Sequence, residues 1–252
     1  MAIALRKSQE IEKLRAANKI VAQTLQLLRE NAKAGISLIE LDKLAEDFIL
    51  SQNAKPSFKG LYGFPNSVCT SLGAVIIHGI PSDYKLKDGD VIGFDVGVEK
   101  NGYFGDAAIT VGIGQISSQD QALIDCSYDT LMYAISIIKP GLRFKELSFK
   151  IENFIKEQGF LPLRGFCGHG IGKKPHEEPE IPNYLEGENP KQGPKIKNGM
   201  VFCLEPMITQ IDDQPNILED KWSVVSKDGL HGSHYEHTVA VINGKAEILS
   251  II

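Results

Sequence analysis

DGDVIGFDVGVEKNGYFGDAAITVG, residues 88–112, sets two aspartates inside two apolar extended runs joined by Glu99-Lys100-Asn101-Gly102. Apolar runs flanking a Gly- and Asn-containing turn predict a β-hairpin. Aspartate is disfavoured in strands. The apolar company of Asp95 (Ile92, Phe94, Val96 and Val98) predicts burial on both sheet faces. A four-residue turn pairs Val98 with Tyr103 and sets Asp95 directly opposite Asp106, with Cβ atoms roughly 4.5 to 5.5 Å apart. Two such carboxylates repel. One takes up a proton or a cation sits between them, and the cost of burying an unpaired carboxylate makes a metal the economical expectation. The alternative is that both face solvent on an exposed sheet face.

The hairpin has an echo further along the chain. The first half carries His78-Gly79-Ile80, then Lys87-x-Gly89-x-Val91-Ile92-x-Phe94-Asp95, then Tyr103 to Asp106. The second carries His169-Gly170-Ile171, then Lys197-Asn198-Gly199-Met200-Val201-Phe202-Cys203-Leu204-Glu205, then His234-Tyr235-Glu236. One His and two carboxylates recur in the same order, which predicts a duplicated half-domain and two halves converging on one cleft. Glu205 ends an apolar run and Glu236 opens the strand TVAVI, where solvated glutamates are unexpected. With His169 they complete one imidazole and four carboxylates, a hard ligand set with the count for two divalent ions of Mn, Fe, Co or Zn. A competing mononuclear site of His231, His234 and His237 has helical spacing, but Gly229, Gly232 and the following strand deny it a helix.

The remaining sequence bounds the setting. The chain has 252 residues, 42% of them hydrophobic and 23% charged, enough to bury a large core; the formal net charge of −5 argues against a nucleic-acid surface. No signal-like core opens MAIALRKSQE and no run of 18 apolar residues occurs, so the expectation is a cytoplasmic protein with no membrane segment. Four scattered cysteines, Cys69, Cys126, Cys167 and Cys203, predict reduced thiols. Helices are predicted over 8–31 with Ser8 as N-cap, and over 37–51 with a Ser37/Glu40 capping box. A third follows Ser118, with Gln121 in the box position, and stops before Pro140-Gly141; a fourth covers about 145–158 and is closed by Gly159. Residues 186–199 read as a loop.

These residues resemble the type I methionine aminopeptidase family over nearly the whole chain, most specifically at CGHGIGKKPHEEPEIPNY (167–184), the IHGIP around His78, FDVG, GDAA, LEPM and YEHT. The resemblance implies one catalytic domain over 1–252 with the α/β pita-bread fold: pseudo-twofold half-domains on a curved antiparallel sheet. It implies that Asp95, Asp106, His169, Glu205 and Glu236 hold two divalent ions. The reaction implied is metal-assisted hydrolysis of the first peptide bond, with Glu205 as general base or proton shuttle. His176 would stabilise the oxyanion, His78 would bond the scissile amide nitrogen, and a metal would take the free α-amine. Phe58, Leu61, Phe64, Cys69 and Trp222 would line an apolar methionine pocket beside a cleft that admits a small second residue.

The implied partners are the N-termini of nascent polypeptides, with transient ribosome docking, and the expected state is a monomer. Two departures stand out. Gly73-Ala74 replace the family's Asn-Glu, removing a substrate-orienting amide and an auxiliary monovalent-cation site, and Pro175 stands where an aromatic residue is common. The rivals are a proline-specific peptidase of the same fold, which generally carries an additional N-terminal domain, and a non-catalytic binding module, which would lose ligands.

Overall fold

Asn101 and Gly102 both adopt positive φ, 54° and 76°, the backbone that a two-residue hairpin turn requires. Lys100 therefore pairs with Tyr103, and Val91–Lys100 zips against Tyr103–Gly112 over ten residue pairs. This corrects the four-residue turn. Asp95 lies opposite Ala108 and Asp106 opposite Gly97, so the two aspartates are diagonal neighbours. The shift is two residues, and a strand repeats every two, so both side chains stay on one face.

The computed structural model describes residues 3–251; Met1, Ala2 and Ile252 of the expected 1–252 domain lie outside the described residues. The largest sheet among them has nine strands, all paired antiparallel. Its centre reads Cys69–Leu72, Val91–Lys100 and Tyr103–Gly112, then Glu236–Ile242, Val201–Leu204 and Cys167–Gly170. That order is a palindrome about the Tyr103–Gly112/Glu236–Ile242 pair, which is the duplication the sequence echo predicts.

Backbone contacts repeat with it. Gly89 N–H donates to Ile113 and Gly199 N–H to Val241, both at 2.8 Å; Leu86 bonds Ile36 at 2.9 Å as Ile196 bonds Leu142 at 2.8 Å. The last pair exposes a further echo, Gly35-Ile36 and Gly141-Leu142 ahead of the second helix of each half.

Four helices pack on the sheet: α1 (Ser8–Asn31), α2 (Leu38–Ser51), α3 (Ser118–Ser136) and α4 (Phe144–Glu157). Lys7, not Ser8, is the N-cap of α1, because Glu10 then falls three residues on and its carboxylate accepts the Lys7 N–H at 3.1 Å. The Ser37/Glu40 box of α2 forms as expected. In α3 the cap is Ser117, whose hydroxyl accepts from Asp120 N–H at 3.0 Å. An acidic residue suits the positive end of the helix better than a glutamine, and Gln121 instead bonds Asp125. Gly159 follows α4 at φ +84°.

One apolar core fills the space between helices and sheet, around Leu41, Ile92, Phe94, Leu123, Leu147 and Phe202. No described helix is long and apolar enough to cross a membrane. The opposite face of the sheet carries the acidic residues beside a smaller apolar cluster in which Ile11 and Leu14 of α1 meet Val201 and Ala240.

Candidate active site

Strand register assembles the acidic cluster. Cys69 lies beside Asp95, Asp95 beside Ala108, and Ala108 beside Glu236, one row across four strands. Ala108 carries only a methyl group between the two carboxylates, and Asp106 stands two residues along its strand on the same face. The pairing of His237 with Leu204 brings Glu205 alongside Glu236, one residue past the strand end. Gly170 pairs with Phe202, which sets His169 level with Cys203 two residues from Glu205. Period-two strands thus aim five side chains from five segments at one point.

They line a cavity of about 500 Å³ together with His78, His176, Phe58, Leu61, Phe64, Cys69 and Trp222. All twelve residues that the family resemblance assigns to metal, catalysis or the methionine pocket are in that wall. Phe58 can lie over the sheet because residue 97 is glycine: a Cβ there would come 2.4 Å from the Phe58 ring. Phe64 meets Trp222 edge to face at 5.2 Å, and with Phe58, Leu61 and Cys69 they form an apolar alcove beside the carboxylates. Gly73, at φ +61° beside the His231 ring, Ala74 and Pro175 are not among the lining residues.

The histidines are held differently. His169 Nδ1 lies 3.0 Å from the Gly170 carbonyl, leaving Nε2 facing the cluster, 3.5 Å from Glu205 Oε1. Burial lowers its pKa to about 3, with the nearby His176 adding to the shift, so it is a neutral imidazole at pH 7. His176 stands edge to face with His169 at 4.4 Å, and burial lowers its pKa too. His78 has φ 59°, a left-handed conformation that a non-glycine residue holds only when its surroundings impose it. Its ring meets Phe166 at 5.8 Å, and burial, with His176 nearby, lowers its pKa to about 4.

Burial pushes the carboxyls the other way. Desolvation raises all four. Glu236 and Asp95 raise Asp106 further, Asp106 and Asp95 raise Glu205, and Glu205 and Asp95 raise Glu236. Asp95 and Asp106 lie within hydrogen-bonding reach of each other. Five buried polar atoms here have no hydrogen-bond partner among the described residues: Asp95 Oδ1, Asp106 Oδ1, Glu205 Oε1, His234 Nε2 and Glu236 Oε1. Leaving them so would cost about 1–3 kcal/mol each, more where charged. A divalent cation satisfies oxygen and imidazole donors at once, so the residues fit a metal.

Atoms of Asp106, His169, Cys203 and Glu236 lie within 4.8 Å of one another. Of these Cys203 is set back from the cavity: it is fully buried, faces the Thr238 hydroxyl at 3.5 Å, and burial pushes its thiol well above the ordinary value. Asp95, which does line the cavity, is the better donor.

The pattern of metallopeptidase family M24 matches residues 12–243. The chain belongs to the M24 metallopeptidases. A methionine aminopeptidase of Helicobacter pylori is 61% identical to it over 251 residues, 99% of each chain. The crystal structure of methionine aminopeptidase from Thermotoga maritima matches with a TM-score of 0.96 at 34% identity over all of both chains. Prolidase from Pyrococcus furiosus matches at 25% identity and a TM-score of 0.80, covering 98% of this chain but 65% of that one. The chain thus stands with the methionine aminopeptidases, and the larger prolidase has a segment without counterpart here. The expected pita-bread fold is the one observed.

One residue of this M24 site carries no signal in the sequence. Tyr62, 79% exposed and at φ 50°, stacks on His176 with ring centroids 6.3 Å apart; an aromatic in a loop gives no periodic signal. His234 did carry one, since it precedes Glu236 by two residues, the strand period. The His231/His234/His237 trio does not assemble: His231 Nδ1 pairs with Asp120 at 2.7 Å and His237 Nδ1 with the Ser250 hydroxyl at 2.8 Å.

Proposed function

We propose that the chain removes the N-terminal methionine from newly made polypeptides, using two divalent ions held by Asp95, Asp106, His169, Glu205 and Glu236. The observation that carries this reading is a single cavity in which the unpartnered carboxylate cluster adjoins an apolar alcove. Divalent ions there supply Lewis acidity toward the scissile carbonyl and activate water near neutral pH.

The protein's own groups do the rest. Glu205 lines the cavity among the carboxylates that would hold the ions, so with the ions in place its carboxylate would take the proton of the attacking water and pass it to the leaving amine. His176 and His78 are neutral near pH 7, each with one N–H to donate. His176 aims at the developing oxyanion and His78 at the scissile amide nitrogen. Phe58, Leu61, Phe64, Cys69 and Trp222 receive the methionine side chain, whose thioether suits aromatic rings and a thiol. Tyr62, stacked on His176, narrows the mouth where the second residue lies and favours a small one.

The test is methionine release from Met-Ala-Ser and Met-Leu-Ser by chelator-treated protein resupplied with Co, Mn, Fe or Zn. Metal-dependent release from the Ala peptide alone, absent in Asp106→Ala, supports the proposal. A peptidase that instead cleaves only Xaa-Pro peptides would put it with the prolidases. Nascent chains would be met by transient docking near the ribosomal exit, which cosedimentation with ribosomes at low salt checks.

A further inference from the structure

The three histidines near the C-terminal end share a segment but not an environment. His231 and His237 each have a protein partner within 2.8 Å. His234 is 4% exposed, and its Nε2 has no partner among the described residues. Native interiors seldom leave a ring nitrogen in that condition unless it has a ligand to meet.

We propose that His234 supplies a second imidazole to the metal centre, its Nε2 joining Glu205 and Glu236 on one ion while His169 serves with Asp106 and Glu236. This rests on the metal-dependent reading above and adds a donor to it. The nearest carboxylate oxygen, Glu236 Oε2, is 3.8 Å from the ring, too far for a direct hydrogen bond. It is the right span for two donors of one ion: at about 2.1 Å per bond, two ligand atoms stand up to about 4.2 Å apart. Ligand atoms of Glu205, His234 and Glu236 all lie within 4.8 Å of one another, and Glu236 is shared with the group containing Asp106 and His169.

The ring is carried by fixed backbone. Thr110 clamps residue 234 from both sides, its hydroxyl accepting from His234 N–H and donating to His234 C=O at 2.9 Å each. The strand Ser233–His234 is pinned to Met207–Thr209, with His234 opposite Met207. A rigidly held imidazole beside two carboxylates is a built donor position. A second nitrogen makes the centre softer, favouring Co, Fe and Zn over Mn and Mg relative to a one-imidazole site.

The test is X-ray absorption on the full chain loaded with Co(II), with and without His234→Gln, alongside calorimetric titration of Co and Mn. The expected result is two imidazoles per pair of ions in the unaltered protein and one in the variant. The weaker Co-binding step should lose about 10- to 100-fold in affinity, and Mn less. One imidazole in the unaltered protein with two ions bound overturns the assignment of His234 and leaves the dinuclear reading standing; so does an equal count in both proteins. Failure to bind any divalent ion overturns both. Because the unaltered protein alone reports the count, a poorly folding variant does not remove the test.

Discussion

Asp42 never enters the cavity, yet it holds the loop that forms the alcove. It sits on α2, 5% exposed; its Oδ1 accepts from the Ser67 and Val68 N–H groups at 2.9 and 3.0 Å, and its Oδ2 from the Asn66 amide at 2.8 Å. These bonds anchor the segment that carries Phe58, Leu61, Phe64 and Cys69. In Asp42→Ala three donors lose a carboxylate. At about 1.5 kcal/mol for each bond to a charged acceptor, the low end of the range, the loss is on the order of 4–5 kcal/mol. For a domain of this size that lowers Tm by roughly 10–15 °C.

The isosteric Asp42→Asn keeps an oxygen for both backbone N–H groups, and the Asn66 amide can turn its own oxygen to the new NH2. Its cost is about 1 kcal/mol. Methionine release from a Met-Ala peptide is followed well below the melting range of each variant. The expected pattern in Asp42→Ala is a KM raised about tenfold or more with kcat within about threefold, because the acidic cluster and both histidines stand on other segments. A Tm drop with an unchanged KM would show that Asp42 stabilises the fold without setting the pocket, and a Tm within about 2 °C of the parent would refute the energetic argument itself.

Other perturbations test the cluster directly. The four carboxyls have folded pKa values raised above their unfolded ones, so the stability they contribute is present below the unfolded range near pH 4 and lost as pH climbs through the folded values. His169 and His78, lowered to about 3 and about 4, add stability only while pH rises through the unfolded histidine value near 6.5. Above about pH 7 the histidines no longer contribute a slope, and the carboxyls and the buried thiols, whose pKa values burial also raises, pull the same way, so metal-free protein should melt lower at about pH 9 than at about pH 7, and the Tm gained on adding Co should grow over the same interval. Asp106→Asn removes one repelling carboxylate. It should raise the Tm of the metal-free protein by a few degrees while losing most of the metal-induced gain, both read by calorimetry. His176→Ala should lower kcat by about 10²- to 10³-fold with metal uptake unchanged by titration, and loss of metal binding would instead make His176 a ligand. Phe64→Ala opens the alcove and should raise KM for methionyl peptides by about 10- to 100-fold, checked against a norleucine analogue that fills the same space.

Much of this site was legible because strands turn their chemistry into a simple code. An aspartate among Ile92, Phe94, Val96 and Val98 is anomalous whatever the fold, and its recurrence at Glu205 after the same Lys-x-Gly-x-Val lead marked the duplication. The observed hairpin register differs from the expected one by two residues. Glu99-Lys100-Asn101-Gly102 allows a four- or a two-residue turn, and the positive φ of both Asn101 and Gly102 decides for the shorter. An even shift leaves the face of each aspartate unchanged. The Ser8 and Ser118 caps were each one residue late, since a neighbouring acidic residue three positions beyond Lys7 or Ser117 outcompetes the alternative.

By itself the sequence determined which groups are available and which side of a strand each one takes: residue type sets the ligand chemistry, and a period of two sets the face. That sufficed to bring four carboxylates and His169 forward as candidate ligands and to expose the twofold echo, whereas His78 and His176 came from the family resemblance. Only the tertiary structure decided who stands next to whom. Sheet pairing across more than a hundred residues of separation sets Asp95, Ala108 and Glu236 in one row. It also brings the exposed ring of Tyr62 onto His176 and leaves the buried Nε2 of His234 without a hydrogen-bond partner among the described residues. Those relations depend on loop closure and packing between distant segments, which local periodicity does not encode.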